Sequence, residues 1–273
     1  MAEECTHNCS TCKSDCSHQD MKEQLRPESC VKKVIGVVSG KGGVGKSTVT
    51  SLIAKKLNKM GYKVGILDAD ITGPSIPRLM RVQEKRALSP NGKDIYPVIT
   101  EDGIKTMSVN FLVEDENQPV VWKGPIISNT VKQFYRDVMW EELDYLLIDM
   151  PPGTGDVALT VMQSIPLNGI VMVSVPQDMI SMIVAKAVKM AKMLNVNVLG
   201  VVENMSYIQC PDCDKKIKLF DGEETEKFLQ DMDLQLLGEL PMTKEIVNIT
   251  HNGVNEVSED LDNILENIVE KIK

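Results

Sequence analysis

The sequence predicts an α/β fold, a mostly parallel β-sheet with helices on both faces. Two observations predict it. Short, fully apolar, β-branched runs recur along the chain, as strands buried on both faces require. Helical patterns separate those runs, and strand–helix alternation of this kind joins parallel neighbours through crossovers. A third observation sets the limits of the fold. Residues 1–30 carry Cys, Ser, Lys and Asp with neither strand nor helix period. They are expected to form an appended Cys-rich metal- or cluster-binding segment, disordered unless metal folds it, ahead of one large domain over 31–273.

The elements follow in order. Val34-Ile35-Gly36-Val37-Val38 is the first buried strand. A Gly-rich loop comes next, then a helix through Leu52-Ile53-Ala54-Lys55-Lys56-Leu57. Lys63–Leu67 is the second strand. Further buried strands are expected at Tyr145–Ile148, Gly169–Val173, Val198–Val202 and Leu236–Leu240, with a helix from Ile180 to Leu194 among the separators. Asp94–Val98 and Gly103–Val109 flank the turn signal Thr100-Glu101-Asp102-Gly103 and read as a hairpin-like insertion. Glu259 to Lys273 is an amphipathic last helix. From Val254 onward six carboxylates stand against two Lys, a poor composition for a membrane-surface helix.

Composition narrows the function classes. Aromatics are only 4%, so aliphatic residues and 16 Met must fill the core, and the Met need no ligand role. A net charge of −9 lacks the basic footprint of a nucleic-acid binder. No apolar run reaches the length of a membrane span, and the N-terminus has no apolar stretch of the signal-peptide kind. The expected setting is the cytoplasm, without nucleic acid or membrane as partner. Thiols stay reduced there, so clustered cysteines suggest metal rather than disulfides. Cys30, standing alone, reads as a bystander.

Gly40-Lys41-Gly42-Gly43-Val44-Gly45-Lys46-Ser47-Thr48 joins the first strand to the first helix and satisfies G-x-x-x-x-G-K-[ST]. Glycines let the backbone N–H groups turn inward onto phosphate oxygens, and the helix N-terminus adds its own N–H groups and partial positive charge. Lys46 is expected on the β- and γ-phosphates and Ser47 on Mg²⁺. Asp68 and Asp70 close the second strand. Either can orient an attacking water, and Asp70 is the favoured one. Leu146-Leu147-Ile148-Asp149 is an apolar strand ending in a carboxylate, a Walker B pattern, so Asp149 is expected to hold Mg²⁺ through water. Pro151-Pro152-Gly153-Thr154-Gly155-Asp156 forms a rigid turn suited to sensing the γ-phosphate.

Lys41 is not required by the ordinary loop. With it, the loop resembles the deviant Walker A class, in which the extra Lys reaches the phosphates of a partner across a two-fold homodimer. Further stretches are Asp68-Ala69-Asp70-Ile71-Thr72-Gly73-Pro74-Ser75, Trp122-Lys123-Gly124-Pro125, Asp149–Asp156, Glu203-Asn204-Met205-Ser206 and Cys210-Pro211-Asp212-Cys213. From about residue 33 onward the chain resembles the Mrp/ApbC family of P-loop iron–sulfur cluster carriers, relatives of MinD, ParA and the nitrogenase iron protein. The resemblance implies a P-loop NTPase fold and a homodimer that binds and hydrolyses ATP. It also implies a [4Fe-4S] cluster passed to apo iron–sulfur proteins. Asn204 matches the family's base-contacting Asn, and Pro241 is a second base-contact candidate. The choice of ATP over GTP rests on the resemblance alone.

Cys210-x-x-Cys213 supplies two thiolates, whereas closed zinc or cluster sites use four. Two copies of the chain supply four. On spacing alone zinc is the favourite, with a bare redox pair as another reading. The resemblance, in which the cluster bridges subunits, shifts the expectation to iron–sulfur. Cys5, Cys9, Cys12 and Cys16 place four thiolates in one short segment, which fits either zinc or a second [4Fe-4S] cluster. Some members of the family carry an N-terminal four-Cys cluster site, and cluster is preferred on that ground. The competing functions are a ParA/MinD-like positioning ATPase and a zinc-stabilised regulatory NTPase.

Overall fold

The computed structural model describes residues 22–71, 73–113, 122, 124–178, 182–210, 212–213, 215–218, 222–254 and 257–273. Cys5, Cys9, Cys12 and Cys16, and also Thr72, Lys123 and Pro211, lie outside the described residues.

In chain order the elements are β1 (Cys30–Ser39), α1 (Lys46–Lys59), β2 (Val64–Asp68), α2 (Ile76–Leu79), β3 (Val98–Ile99), β4 (Lys105–Met107), α3 (Gly124–Asp137) and β5 (Glu142–Asp149). There follow α4 (Asp156–Ser164), β6 (Gly169–Ser174), α5 (Met182–Met193), β7 (Val198–Gln209), β8 (Lys216–Ile217), α6 (Gly222–Asp231), β9 (Leu236–Pro241), α7 (Lys244–Asn252) and α8 (Glu259–Ile272). The sheet runs β3-β4-β2-β5-β1-β6-β7, with β9 also paired to β7. All pairings are parallel except β3–β4 and β7–β8.

Alternation along the central strands fills two cores. Ile35, Val37, Tyr145 and Leu147 face α1, α7 and α8, whose Leu52, Ile249 and Leu265 cover them. Val34, Val38, Leu146 and Ile148 face α3, α4 and α5, whose Val131, Val161 and Val188 close the other side. Strands buried on both faces cannot show polar alternation, which is why they read as continuous apolar runs. The acidic character of α8 is used in packing. Asp262 and Glu266 each lie 2.9 Å from Lys56 Nζ on α1, a nearly buried ammonium.

Three elements depart from expectation. The 94–109 hairpin is built into the main sheet. Gly103 N–H donates to Thr100 O at 3.1 Å to close the turn, β3 and β4 pair antiparallel, and β4 then continues the main sheet beside β2. β1 begins at Cys30, upstream of the apolar run, because its first residues alternate exposed and half-buried. β7 runs on to Gln209 through Met205, a non-glycine residue at φ 56° where the register with β9 shifts. Backbone packing starts before β1: Glu23 N–H donates to Ser164 O at 2.6 Å and Arg26 Nη2 lies 2.6 Å from Asp94 Oδ1. No helix among the described residues is long and apolar enough to cross a membrane.

Candidate functional site

Parallel strands bring their C-terminal ends to one edge, where ligands of open α/β sheets collect. Ser39 ends β1, Asp68 ends β2 and Asp149 ends β5, with Asp68 and Asp149 in register. The loop from Gly40 to Gly45 rises from that edge and α1 starts at Lys46. Gly45 caps the helix at φ 83°, a left-handed conformation that other residues adopt at a cost. A Cβ there would also run into the Asn204 side-chain amide.

Asp149 is completely buried and satisfied by three donors. Lys46 Nζ lies 2.8 Å from Oδ1, Ser47 Oγ donates to Oδ2 at 2.6 Å, and Thr50 Oγ1 donates to Oδ1 at 2.8 Å. A buried carboxylate is tolerable only when paired and hydrogen-bonded in this way. Thr50 was not among the residues expected at the site. Its place, one turn after Lys46, is the only signal that could have found it.

The two acidic candidates of the second strand separate. β2 stops at Asp68, which is 1% exposed and accepts from Ser108 Oγ at 3.1 Å. Burial, and then the neighbouring Asp149 charge, push its carboxyl well above the usual carboxylate range, against the pull of Lys46. Of the two, Asp68 is therefore the one whose surroundings favour the neutral form. Asp70 lies beyond the strand end, lines the cleft, and sits 4.0 Å from Lys46 Nζ. That cleft has a volume of about 600 Å³; Gly43, Lys46, Thr48, Asp70, Arg78 and Asn110 contribute to its walls. Arg78 and Asn110 carried no motif signal.

Asn204 lies under the loop at 1% exposure. Its Nδ2 donates to Val44 O at 2.9 Å, which fixes the amide orientation, since the carbonyl can only accept. Its Oδ1 is then buried with no partner among the described residues. Lys41 is exposed on the loop, and its carbonyl accepts from Ser39 Oγ at 3.0 Å. Gly153, in the 151–156 turn, donates its N–H to Ser39 O at 2.8 Å and so ties that turn to the loop. Pro241 ends β9, buried beside Tyr207 and outside the residues that line the cleft.

The cysteine pair sits elsewhere, on the hairpin of β7 and β8. Ile208 pairs with Ile217 and Gln209 with Lys216, and Cys210 N–H closes the loop onto Lys215 O at 3.1 Å. Cys210 is half-buried and Cys213 exposed. A backbone N–H at Asp212, and then the Cys213 thiol, hold the Cys210 thiol below its ordinary value, the direction that favours the metal-binding thiolate. Among the described residues no three His, Cys, Asp or Glu side chains converge on a metal-sized site.

Against known families, the ParA model described as "NUBPL iron-transfer P-loop NTPase" matches residues 30–273. The chain belongs to this family. Two relatives and one solved structure give the scale of the likeness. A Clostridium perfringens protein named iron-sulfur cluster carrier protein is 53% identical over 232 residues, which cover 83% of this chain and 81% of that one. One of the same name from Methanocaldococcus jannaschii is 43% identical over 286 residues, covering 99% and 98%. A solved Archaeoglobus fulgidus nucleotide-binding protein in complex with ADP superposes with a TM-score of 0.71 at 40% identity, covering 86% of this chain and 88% of that one.

Proposed function

We propose that the chain binds and hydrolyses ATP in the cleft at the 40–48 loop. We further propose that it carries a [4Fe-4S] cluster on Cys210 and Cys213 between two copies and delivers it to apoproteins. One observation carries this reading: among the described residues a single chain holds a well-furnished phosphate site, but the Cys210/Cys213 hairpin offers only two of the four thiolates a closed site uses. A two-fold dimer completes the second without altering the first. The names of the relatives, iron-sulfur cluster carrier proteins, support the same reading.

The chemistry follows from the side chains. Lys46 is held by Asp149 and Asp70 and is poised to move its charge to the β- and γ-phosphates. Ser47 and Asp149 offer a hydroxyl and a carboxylate oxygen 2.6 Å apart, a hard-oxygen donor set that fits Mg²⁺. These two residues would hold the ion, which supplies neutralisation of phosphate charge. Asp70 faces the cleft and can orient the attacking water. Asp68 is enclosed, outside the cleft lining, and its carboxyl is pushed well above the usual range, so it is poorly placed for that role. The unpartnered Asn204 Oδ1 is an acceptor suited to the exocyclic amine of adenine, which guanine lacks at that position. Pro241 is the weaker base contact. Lys41 is exposed, as a residue reaching a partner's phosphates has to be. Closure of the dimer on ATP would then change the geometry at the cysteine pair and so its hold on the cluster. The N-terminal cysteines would hold a second cluster or zinc.

Transfer tests this directly. The reconstituted full chain is mixed with the apo form of an enzyme that needs a [4Fe-4S] cluster, and recovered activity is followed. Recovery by the wild type, but not by Cys210→Ser, is the expected result. Stoichiometric zinc without sulfide, and no recovery, would make the protein a zinc-stabilised NTPase instead. Co-sedimentation with DNA or anionic vesicles would point to a positioning ATPase.

A further inference from the structure

The 203–206 stretch does more than supply Asn204. Ser206 Oγ lies 2.5 Å from Glu203 Oε2 and 2.8 Å from Glu239 Oε1. Lys218 Nζ lies 2.5 Å from the same Glu239 oxygen. Glu203 and Glu239 are register partners on the parallel strands β7 and β9.

A hydroxyl carries one hydrogen and can donate to only one of two oxygens. The second contact therefore requires a proton on a carboxyl group. Glu203 is the group to carry it. It is 5% exposed, and burial pushes its carboxyl up; its bond to Ser206 and the Lys218 charge offset only part of that, while the Glu239 charge and a direct hydrogen-bonding contact with Glu239 add to it. Glu239 goes the other way. Burial pushes it up, but hydrogen bonds from Lys218 and Ser206 hold it below its ordinary value, and Lys216 adds to that pull. Besides Glu239, Glu203 and then Glu226 on α6 also act on Lys218. The result is a directed chain: Glu203 O–H donates to Ser206, Ser206 O–H donates to Glu239, and Lys218 donates to Glu239 from the other side.

The position of this chain gives it a task. Lys218 directly follows β8, the return arm of the cysteine hairpin. Glu203 directly precedes Asn204, which holds the Val44 carbonyl under the phosphate loop. Among the described residues the return arm is lightly held: β8 is two residues long, makes two register pairs, and otherwise meets β7 through Lys216 over the Tyr207 ring at 4.4 Å and the Cys210–Lys215 backbone bond. We propose that Glu203, Ser206, Glu239 and Lys218 form a hydrogen-bonded latch that clamps the base of the cysteine hairpin to the sheet and sets how long the pair retains its cluster. The four are positioning residues, since none touches the cargo. The retention half of this inference rests on the carrier reading above; the clamping half does not.

Amide hydrogen exchange over residues 207–218 of the metal-free full chain reads the clamp. Lys218→Met and Glu239→Gln are expected to speed exchange roughly fivefold, the scale of one charge-assisted hydrogen bond. Glu203→Gln keeps an N–H to donate where the acid donates its O–H, so it stays within about twofold of wild type, whereas Glu203→Ala matches Lys218→Met. In reconstituted protein, cluster loss to a chelator follows the same order. Unchanged exchange in Lys218→Met overturns the clamp. Glu203→Gln as disruptive as Glu203→Ala overturns the proton assignment. Faster exchange with unchanged cluster loss overturns the link to retention. Wild type without iron or sulfide defeats the carrier reading, while the exchange rates still decide the clamp.

Discussion

At the phosphate loop, Asp149 is completely buried and meets Lys46, Ser47 and Thr50 within one chain. At the cysteine hairpin, a half-buried and an exposed thiol stand with no third ligand among the described residues. The first region is closed around its charges, so each of its groups is over-determined by neighbours. The second leaves its groups open to a partner. The difference teaches how much of each proposed site one chain supplies: the phosphate site whole except for the partner's Lys41, and the cysteine site only two of the thiolates a bridging cluster would need. It also says where mutations will register, in stability at the first region and in cargo at the second.

Lys46→Ala is expected to have the largest effect. It removes the phosphate cation and leaves Asp149 with hydroxyl partners only. Phosphate release should fall at least about a hundredfold, and the nucleotide-free fold should lose about 3 kcal/mol in urea unfolding. Unaltered stability would mean that the buried pair is less tightly coupled than its 2.8 Å contact implies. Gly45→Ala comes next. It forces an alanine to φ 83° and drives its methyl into the Asn204 amide. A loss of about 2 kcal/mol, with weaker ATP binding, is expected from equilibrium unfolding and titration. Asn204→Ala should cost about 1 kcal/mol, because it frees the Val44 carbonyl. It should also narrow the preference for ATP over GTP in competition binding, whereas an unchanged preference would remove Asn204 from base recognition. Smallest in stability is the double variant Cys210→Ser/Cys213→Ser. Surface substitutions of this kind stay within about 0.5 kcal/mol, so a marked drop in thermal midpoint would show that the thiols support the fold.

The two regions were unequally legible in the sequence. The buried strands announced themselves because both faces must be apolar, with Ile35, Val37 and Leu147 on one side and Val34, Val38 and Ile148 on the other. The loop from Gly40 to Thr48 was readable because phosphate binding fixes residue types at fixed spacing. What stayed hidden depends on contacts between distant segments. Ser108 reaches Asp68 across 40 residues and Thr50 reaches Asp149 across 99, and neither has a spacing signature. The choice between Asp68 and Asp70 was open for the same reason: only the end of β2 at Asp68 turns one inward and leaves the other at the cleft. The 94–109 region was recognisable as a hairpin from its turn, but its pairing with β2 is a tertiary fact. The long reach of β7 past Val202 was masked by the polar residues Glu203, Asn204 and Ser206, which the sheet accepts because each finds a hydrogen bond.

The central claim is that the cysteine site is half of one. The most direct test is iron, acid-labile sulfide and zinc per protomer, measured with the molar mass in solution, on anaerobically reconstituted wild type and on Cys210→Ser/Cys213→Ser. A dimer whose double variant loses about two iron and two sulfide per protomer, half of a four-iron cluster, is the predicted result. Iron and sulfide unchanged by the double substitution, or zinc without sulfide on a monomer, would contradict it.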